Sequence, residues 1–336
     1  MAAAFEEIMS DLRNRIYKPV YFLAGEEPYF IDTISDYIEE KVLSDADKAF
    51  NQIIVYGEDT SVAAVIDTAR RFPMMSSHQV VIVKEAQSLK KIEDLAIYIE
   101  KPLQSTILVF CYKYKSLDKR TKLYKLLDTS AVYFESPRLR DYQIPAWIER
   151  YLMSKGIKID PQASAMLTEY LGTDLHKIAN ELEKLLITLP AGKPVINSAL
   201  IEKNIGISKD YNNFELQNAV GNRNVLKANM IVKYFSDNQK ENPITLTIAS
   251  LFSFFTKLLT YHYLPDKSKN NVASVLKVNP FFVKDYENAA SKYNAKKTVQ
   301  IISLLRTFDM RSKGYGDAGT EAGDLLKELA YRILHI

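Results

Sequence analysis

Apolar and polar positions follow two rhythms along the chain. Short apolar runs at 20–24, 52–56, 80–83, 106–111 and 132–135 have the length of strands. That at 80–83 (Val-Val-Ile-Val) is a continuous apolar run, which suits a strand covered on both faces. Between the runs, apolar residues recur at helical spacing over 5–16, 29–43, 60–71 and 92–99, and a basic helix is predicted over 118–127. Strands alternating with helices predict a parallel sheet with helices on both faces. Near Pro137 the strand rhythm stops. Helical spacing alone continues at 145–155, 161–170, 175–189 and 198–205. After the loop PAGKPV and a joint near Lys209 it resumes at 214–220, 225–234, 244–263, 272–276, 280–290, 298–312 and 325–334. Pro145 and Pro161 fall where a first helical turn tolerates proline. The stretch 244–263 is apolar nearly all round, and so predicts the core helix of the last section. The pattern therefore predicts an α/β domain over 1–138, a helical domain over 139–208 and a second helical domain over 209–336.

A length of 336 residues accommodates such a set of domains, and the hydrophobic share of 47% is ordinary for a globular protein. The single cysteine, Cys111, excludes an internal disulfide and a cysteine-based zinc site. Four scattered histidines lack metal-ligand spacing, so no metal site is predicted. No Ser/His/Asp set or carboxylate pair stands out, so no catalytic residue is assigned. The start, MAAAFEEIMSDL, is acidic and amphipathic, unlike a signal peptide, and no apolar run approaches transmembrane length. A cytoplasmic protein with no membrane partner is expected.

The net charge of +3 does not by itself imply nucleic acid, so any DNA-facing surface must be local. Two places qualify. Lys113, Lys115, Lys119, Arg120, Lys122 and Lys125 crowd one stretch, as a solvated helix face or as phosphate contacts. Arg311, Lys313 and Tyr315, with Gly314 and Gly316 between and after them, read as a glycine-rich helix end or as a turn that touches phosphates and stacks on an end base.

The turn after the first strand reads GEEPYFID. A phosphate-binding loop in this strand-to-helix position would read GxxxxGK[ST]. Gly25 keeps the first glycine, but Phe30, Ile31 and Asp32 stand at the second glycine, lysine and hydroxyl positions. Phe30 is expected to bar close approach of a phosphate, and Asp32 to repel it. After 80–83, where a magnesium-holding Asp belongs, the chain has Lys84 and then Glu85. No nucleotide and no other cofactor is predicted. The remaining candidate lies just before that strand. Phe72-Pro73-Met74-Met75 places large apolar groups where Pro73 disfavours further helix, and Ser76, Ser77 and His78 return the chain to polar surroundings. Two readings stay open: methionines capping a core, or an apolar wedge offered to another protein, with Phe72 supporting it from below.

GEEPYFID, PMMSSHQVVIVKEA, KSLDKRTKLYK and GTDLHKIANELEKLL, with FDMRSKGYGD near the end, together resemble the delta subunits of bacterial polymerase III clamp loaders, a degenerate branch of the AAA+ clamp-loader proteins. The resemblance implies an AAA+-like domain with a parallel sheet, an all-α lid and an all-α collar. It implies a DNA-replication subunit that binds and opens the sliding clamp (beta) without hydrolysing ATP. Its partners would be the ATPase and delta-prime subunits of the loader, with primed DNA in the complex. The clamp-gripping pair of that family falls on Met74 and Met75, positions often held by bulkier leucine or phenylalanine. Two other readings compete: an ATPase or transferase with an atypical loop, and an AAA+-like adaptor for another partner.

Overall fold

Five strands form one sheet: β1 (Val20–Gly25), β2 (Gln52–Tyr56), β3 (Gln79–Lys84), β4 (Thr106–Lys113) and β5 (Val132–Ser136). All pairings are parallel, in the order β2-β3-β4-β1-β5. The structure is a computed structural model that describes residues 2–189, 195–205, 210–316 and 319–336. The domain joint near residues 208 and 209 and most of the loop 190–195 lie outside the described residues. Contacts divide the chain into two units, Met1–Leu139 and Arg140–Ile336.

In the first unit, β1 and β4 are central and buried, which explains their unbroken apolar runs. Side chains alternate across the sheet. Val20, Phe22 and Ala24 face α4 (Val62–Ala69), α5 (Ala96–Ile99) and α6 (Lys122–Ser130). Tyr21 and Leu23 face α1 (Ala2–Arg13) and α2 (Pro28–Lys41). Cys111 belongs to this second layer, and burial pushes its thiol up to about 12. Three elements depart from the pattern. Residues 92–99 split into a 3-10 turn, Ile92–Leu95, and the single turn α5. The helix expected over 118–127 starts only at Lys122, because Thr121 Oγ1 accepts the Tyr124 N–H (3.2 Å) and so fixes the helix start there. A short helix, α3 (Asp45–Asn51), precedes β2; it has no apolar stripe to announce it, and Ser44 caps it.

The second unit is helical: α7 (Ile144–Ser154), α8 (Pro161–Leu171), α9 (Leu175–Thr188), α10 (Ser198–Ile205), α11 (Asn213–Gly221), α12 (Val225–Asp237), α13 (Ile244–Tyr263), α14 (Lys269–Leu276), α15 (Val283–Lys292), α16 (Ala295–Ser312) and α17 (Ala322–His335). One core joins α11 to α17. The expectation for α13 needs two corrections. It buries one face only, through Ile248, Leu251, Phe254, Phe255, Leu258 and Tyr261, while Leu246, Phe252 and Tyr263 are exposed. At 20 residues it is also long and apolar enough to cross a membrane by length and composition, against the reading that no run approaches that length. Its buried face instead builds the core of this unit.

Candidate protein-docking site

The loop after β1 is closed by its own chain. Gly25 has φ +128°, and a Cβ there would lie 2.1 Å from the Ser136 carbonyl oxygen. The glycine is thus required by the close approach of β5. Its N–H donates to Lys115 O (2.9 Å), and its own carbonyl accepts from Tyr114 N–H (2.8 Å). Glu27 N–H donates to Ser136 O (3.1 Å), and Ser136 Oγ donates back to Glu27 O (2.8 Å). The buried Glu27 carboxylate accepts the Tyr29 N–H (3.2 Å) at the start of α2. A helix N-terminus is a ready anion site, and here a carboxylate from the chain itself occupies it.

The substituted positions of this loop are also used internally. Ile31 is fully buried. The Phe30 ring packs edge-on against Phe5 at 4.8 Å, so Glu27, rather than Phe30 alone, closes the loop. Asp32 pairs with Lys113 (2.8 Å), which also meets Glu85 (3.3 Å). Lys84 pairs with Glu39 (2.8 Å) and Asp36 (3.8 Å) of α2. Burial works against the charge of both lysines, but these carboxylates outweigh it and raise both pKa values. Among the described residues, no cluster of His, Cys, Asp and Glu is arranged to hold a metal ion.

The segment between α4 and β3 is built the other way round. Its two feet are pinned. Thr106 Oγ1 donates to Ala69 O (2.8 Å), and Gln79 Nε2 donates to Thr68 O (3.0 Å), at the end of α4. Gln79 N–H donates to Ser105 O (2.8 Å), which fixes the start of β3. In between, Asn51 holds Met74 by both backbone groups. Its Oδ1 accepts the Met74 N–H (2.6 Å), and its Nδ2 donates to Met74 O (3.0 Å). Met75 follows with φ +52°, in the left-handed region. The side chains point to water: Phe72 is 74%, Met74 63% and Met75 104% exposed. None of the three lies in the core. Phe72 is therefore part of the exposed surface, not a support from below.

The basic candidates are largely paired. Besides Lys113, Lys119 meets Glu135 (3.5 Å), Arg120 meets Asp118 (2.6 Å) and Lys122 meets Glu100 (2.6 Å). In the helical unit, Arg311 pairs with Glu328 (2.9 Å) and stacks on the Phe308 ring, and Lys313 pairs with Asp309 (2.7 Å). Tyr315 is exposed beyond the end of α16, between Gly314 and Gly316, both at positive φ. Asp317, the last residue of FDMRSKGYGD, lies outside the described residues.

Residues 21–136 match the family described as DNA polymerase III, delta subunit, and residues 210–320 match DNA polymerase III delta subunit, C-terminal domain. The chain belongs to the DNA polymerase III delta-subunit family. A curated relative, DNA polymerase III subunit delta of Bacillus subtilis strain 168, is 28% identical over 336 residues, covering 96% of this chain and 94% of the relative. The solved structure of the Bacillus subtilis DNA clamp loader delta protein YqeN is 24% identical, with TM-score 0.55, covering 99% of this chain and 100% of that one. The parallel sheet with helices on both faces, followed by helices, is the fold this chain shares with that clamp loader delta protein.

Sequence reasoning singled out the loop and the tip but missed what shapes each. Asn51 carries no motif and lies 23 residues before Met74. Glu27 stands in the degenerate turn with no preferred-cap identity; the signal that could have found it is Pro28 at the first helical turn, which puts Glu27 at the cap.

Proposed function

We propose that this chain is a clamp-loader delta subunit that grips the sliding clamp with Phe72, Met74 and Met75 and opens it for loading onto primed DNA. The carrying observation is an exposed apolar tip on a hydrogen-bonded base. Adjacent flexible apolar side chains suit insertion into a hydrophobic groove, and a few such anchors supply most of the energy of an interface. Burying each side chain contributes roughly 1.5–3 kcal/mol.

In this reading the chain hydrolyses no ATP itself, because its own Glu27 caps the helix start that would receive a phosphate and Lys84 takes the place of a metal ligand. The ATPase and delta-prime subunits of the loader supply nucleotide chemistry. The helices of 139–208 form a lid, and those of 209–336 a collar that joins these partners. The protein works in the cytoplasm, on replicating DNA. Tyr315 is the best placed of the DNA candidates, since Arg311 and Lys313 already serve carboxylates.

The test is retention of the purified chain on immobilised clamp in the absence of nucleotide. The reading expects one clamp-bound species without ATP. No retention, or retention only with ATP and magnesium, contradicts it.

A further inference from the structure

We infer that Asn51 is the positioning residue of the docking tip: its side-chain amide fixes the Met74 peptide so that Met74 and Met75 are presented already ordered. This rests on the clamp-gripping reading above. Asn51 is the last residue of α3 and is 2% exposed, although its neighbour Phe50 is 70% exposed. An asparagine is thus buried beside an exposed phenylalanine, the reverse of what hydrophobic burial alone would place there.

The amide explains the inversion. Its Nδ2 donates to Asp47 O (3.2 Å) in its own helix and to Met74 O (3.0 Å), while Oδ1 accepts the Met74 N–H (2.6 Å). Both hydrogens and the oxygen are used, which also fixes the orientation of the amide. No other side chain of this size does the same: aspartate lacks the donors, and leucine lacks both donor and acceptor.

The effect falls on the residues that face outward. Met74 sits between a proline that fixes φ before it and a left-handed Met75 after it. A left-handed conformation is costly for a residue with a Cβ, and it persists only where neighbouring structure enforces it. Asn51 supplies that enforcement one residue upstream. A tip held in one conformation loses less freedom when it docks, so affinity rises without a new contact.

The experiment compares Asn51→Ala, the isosteric Asn51→Asp and Met74→Ala/Met75→Ala, alone and combined, by titration of the full-length chain with purified clamp. It also reads the 13C-methyl NMR signals of methionine in the free protein. We expect each Asn51 variant to weaken clamp binding about tenfold, the cost of ordering a few side chains. In the double-alanine background the Asn51 changes should add less than twofold. The Met74 and Met75 methyl signals alone should collapse towards the position of free methionine in the Asn51 variants. Where Asn51→Ala does not fold, Asn51→Asp carries the test. Wild-type affinity and methyl signals in the Asn51 variants, with a weakened double alanine, would overturn the positioning role and leave the clamp reading standing. An equal Asn51 effect in both backgrounds would also overturn it. A double alanine that binds normally would remove the clamp reading and this inference together.

Discussion

Two loops at opposite edges of the same sheet are built to opposite ends. The turn after β1 lies at the carboxyl edge, where open α/β sheets ordinarily take their ligands. There, Glu27 accepts the amide at the helix start, and Ser136 and Lys115 take neighbouring backbone groups. The segment before β3 lies at the amino edge. Its polar groups are satisfied from beneath by Asn51, Gln79 and Thr106, and its apolar side chains are left in water. Both loops are held by hydrogen bonds, and the difference is where the side chains that make those bonds lie. Where they fill the helix start, a carboxylate of the chain stands in the place of an anion. Where they lie under the segment, a surface is presented.

That contrast predicts where substitutions cost stability. The largest losses belong to the closed loop. Gly25→Ala drives a Cβ into Ser136 at positive φ, and Ile31→Lys places a lysine in the fully buried position. Each should cost about 3 kcal/mol or more in denaturant unfolding. Restoring the lysine of a phosphate loop therefore unfolds the domain before it can serve a phosphate. Wild-type stability of either variant would mean that the loop is open.

The next effect is electrostatic. Lys113→Met leaves Asp32 and Glu85 facing each other and should cost about 2 kcal/mol, between exposed and buried ion pairs. Because the pKa of Lys113 is raised in the fold, its stabilisation is complete below the ordinary lysine value of 10.5 and is lost as pH rises through the raised value. The difference between wild type and Lys113→Met should shrink across that alkaline window in unfolding curves. A constant difference would contradict the pairing. Smaller again is Glu27→Ala, which removes one cap and should cost about 1 kcal/mol. At the other loop, Met74→Ala/Met75→Ala should change stability by no more than about 0.5 kcal/mol, as expected of exposed side chains.

The sequence showed the two loops unequally. The strands were legible because buried parallel strands are unbroken apolar runs, and β3 is Gln79 followed by Val-Val-Ile-Val and Lys84. Met74 and Met75 were legible only as large apolar groups beside Pro73. Whether they capped a core depended on residues such as Asn51 and Thr106, which are distant in sequence and meet the segment only through the sheet. The lysines failed for a related reason. Lys84 reads only as a residue in a metal ligand's place, and Lys113 as part of a basic surface, until sheet and helix bring Glu39, Asp36, Asp32 and Glu85 against them. Helix α3 escaped notice because its exposed Phe50 belongs to no apolar stripe.

The central claim is that the exposed tip, not the closed loop, is the working end of this unit. Calorimetric titration of the sliding clamp with wild type and Met74→Ala/Met75→Ala, paired with thermal melts of both, tests it most directly. The account predicts unchanged melting and an affinity lower by about 10²-fold or more, the loss of two buried apolar anchors. Unchanged affinity, or a fall in affinity matched by a fall in melting temperature, would contradict it.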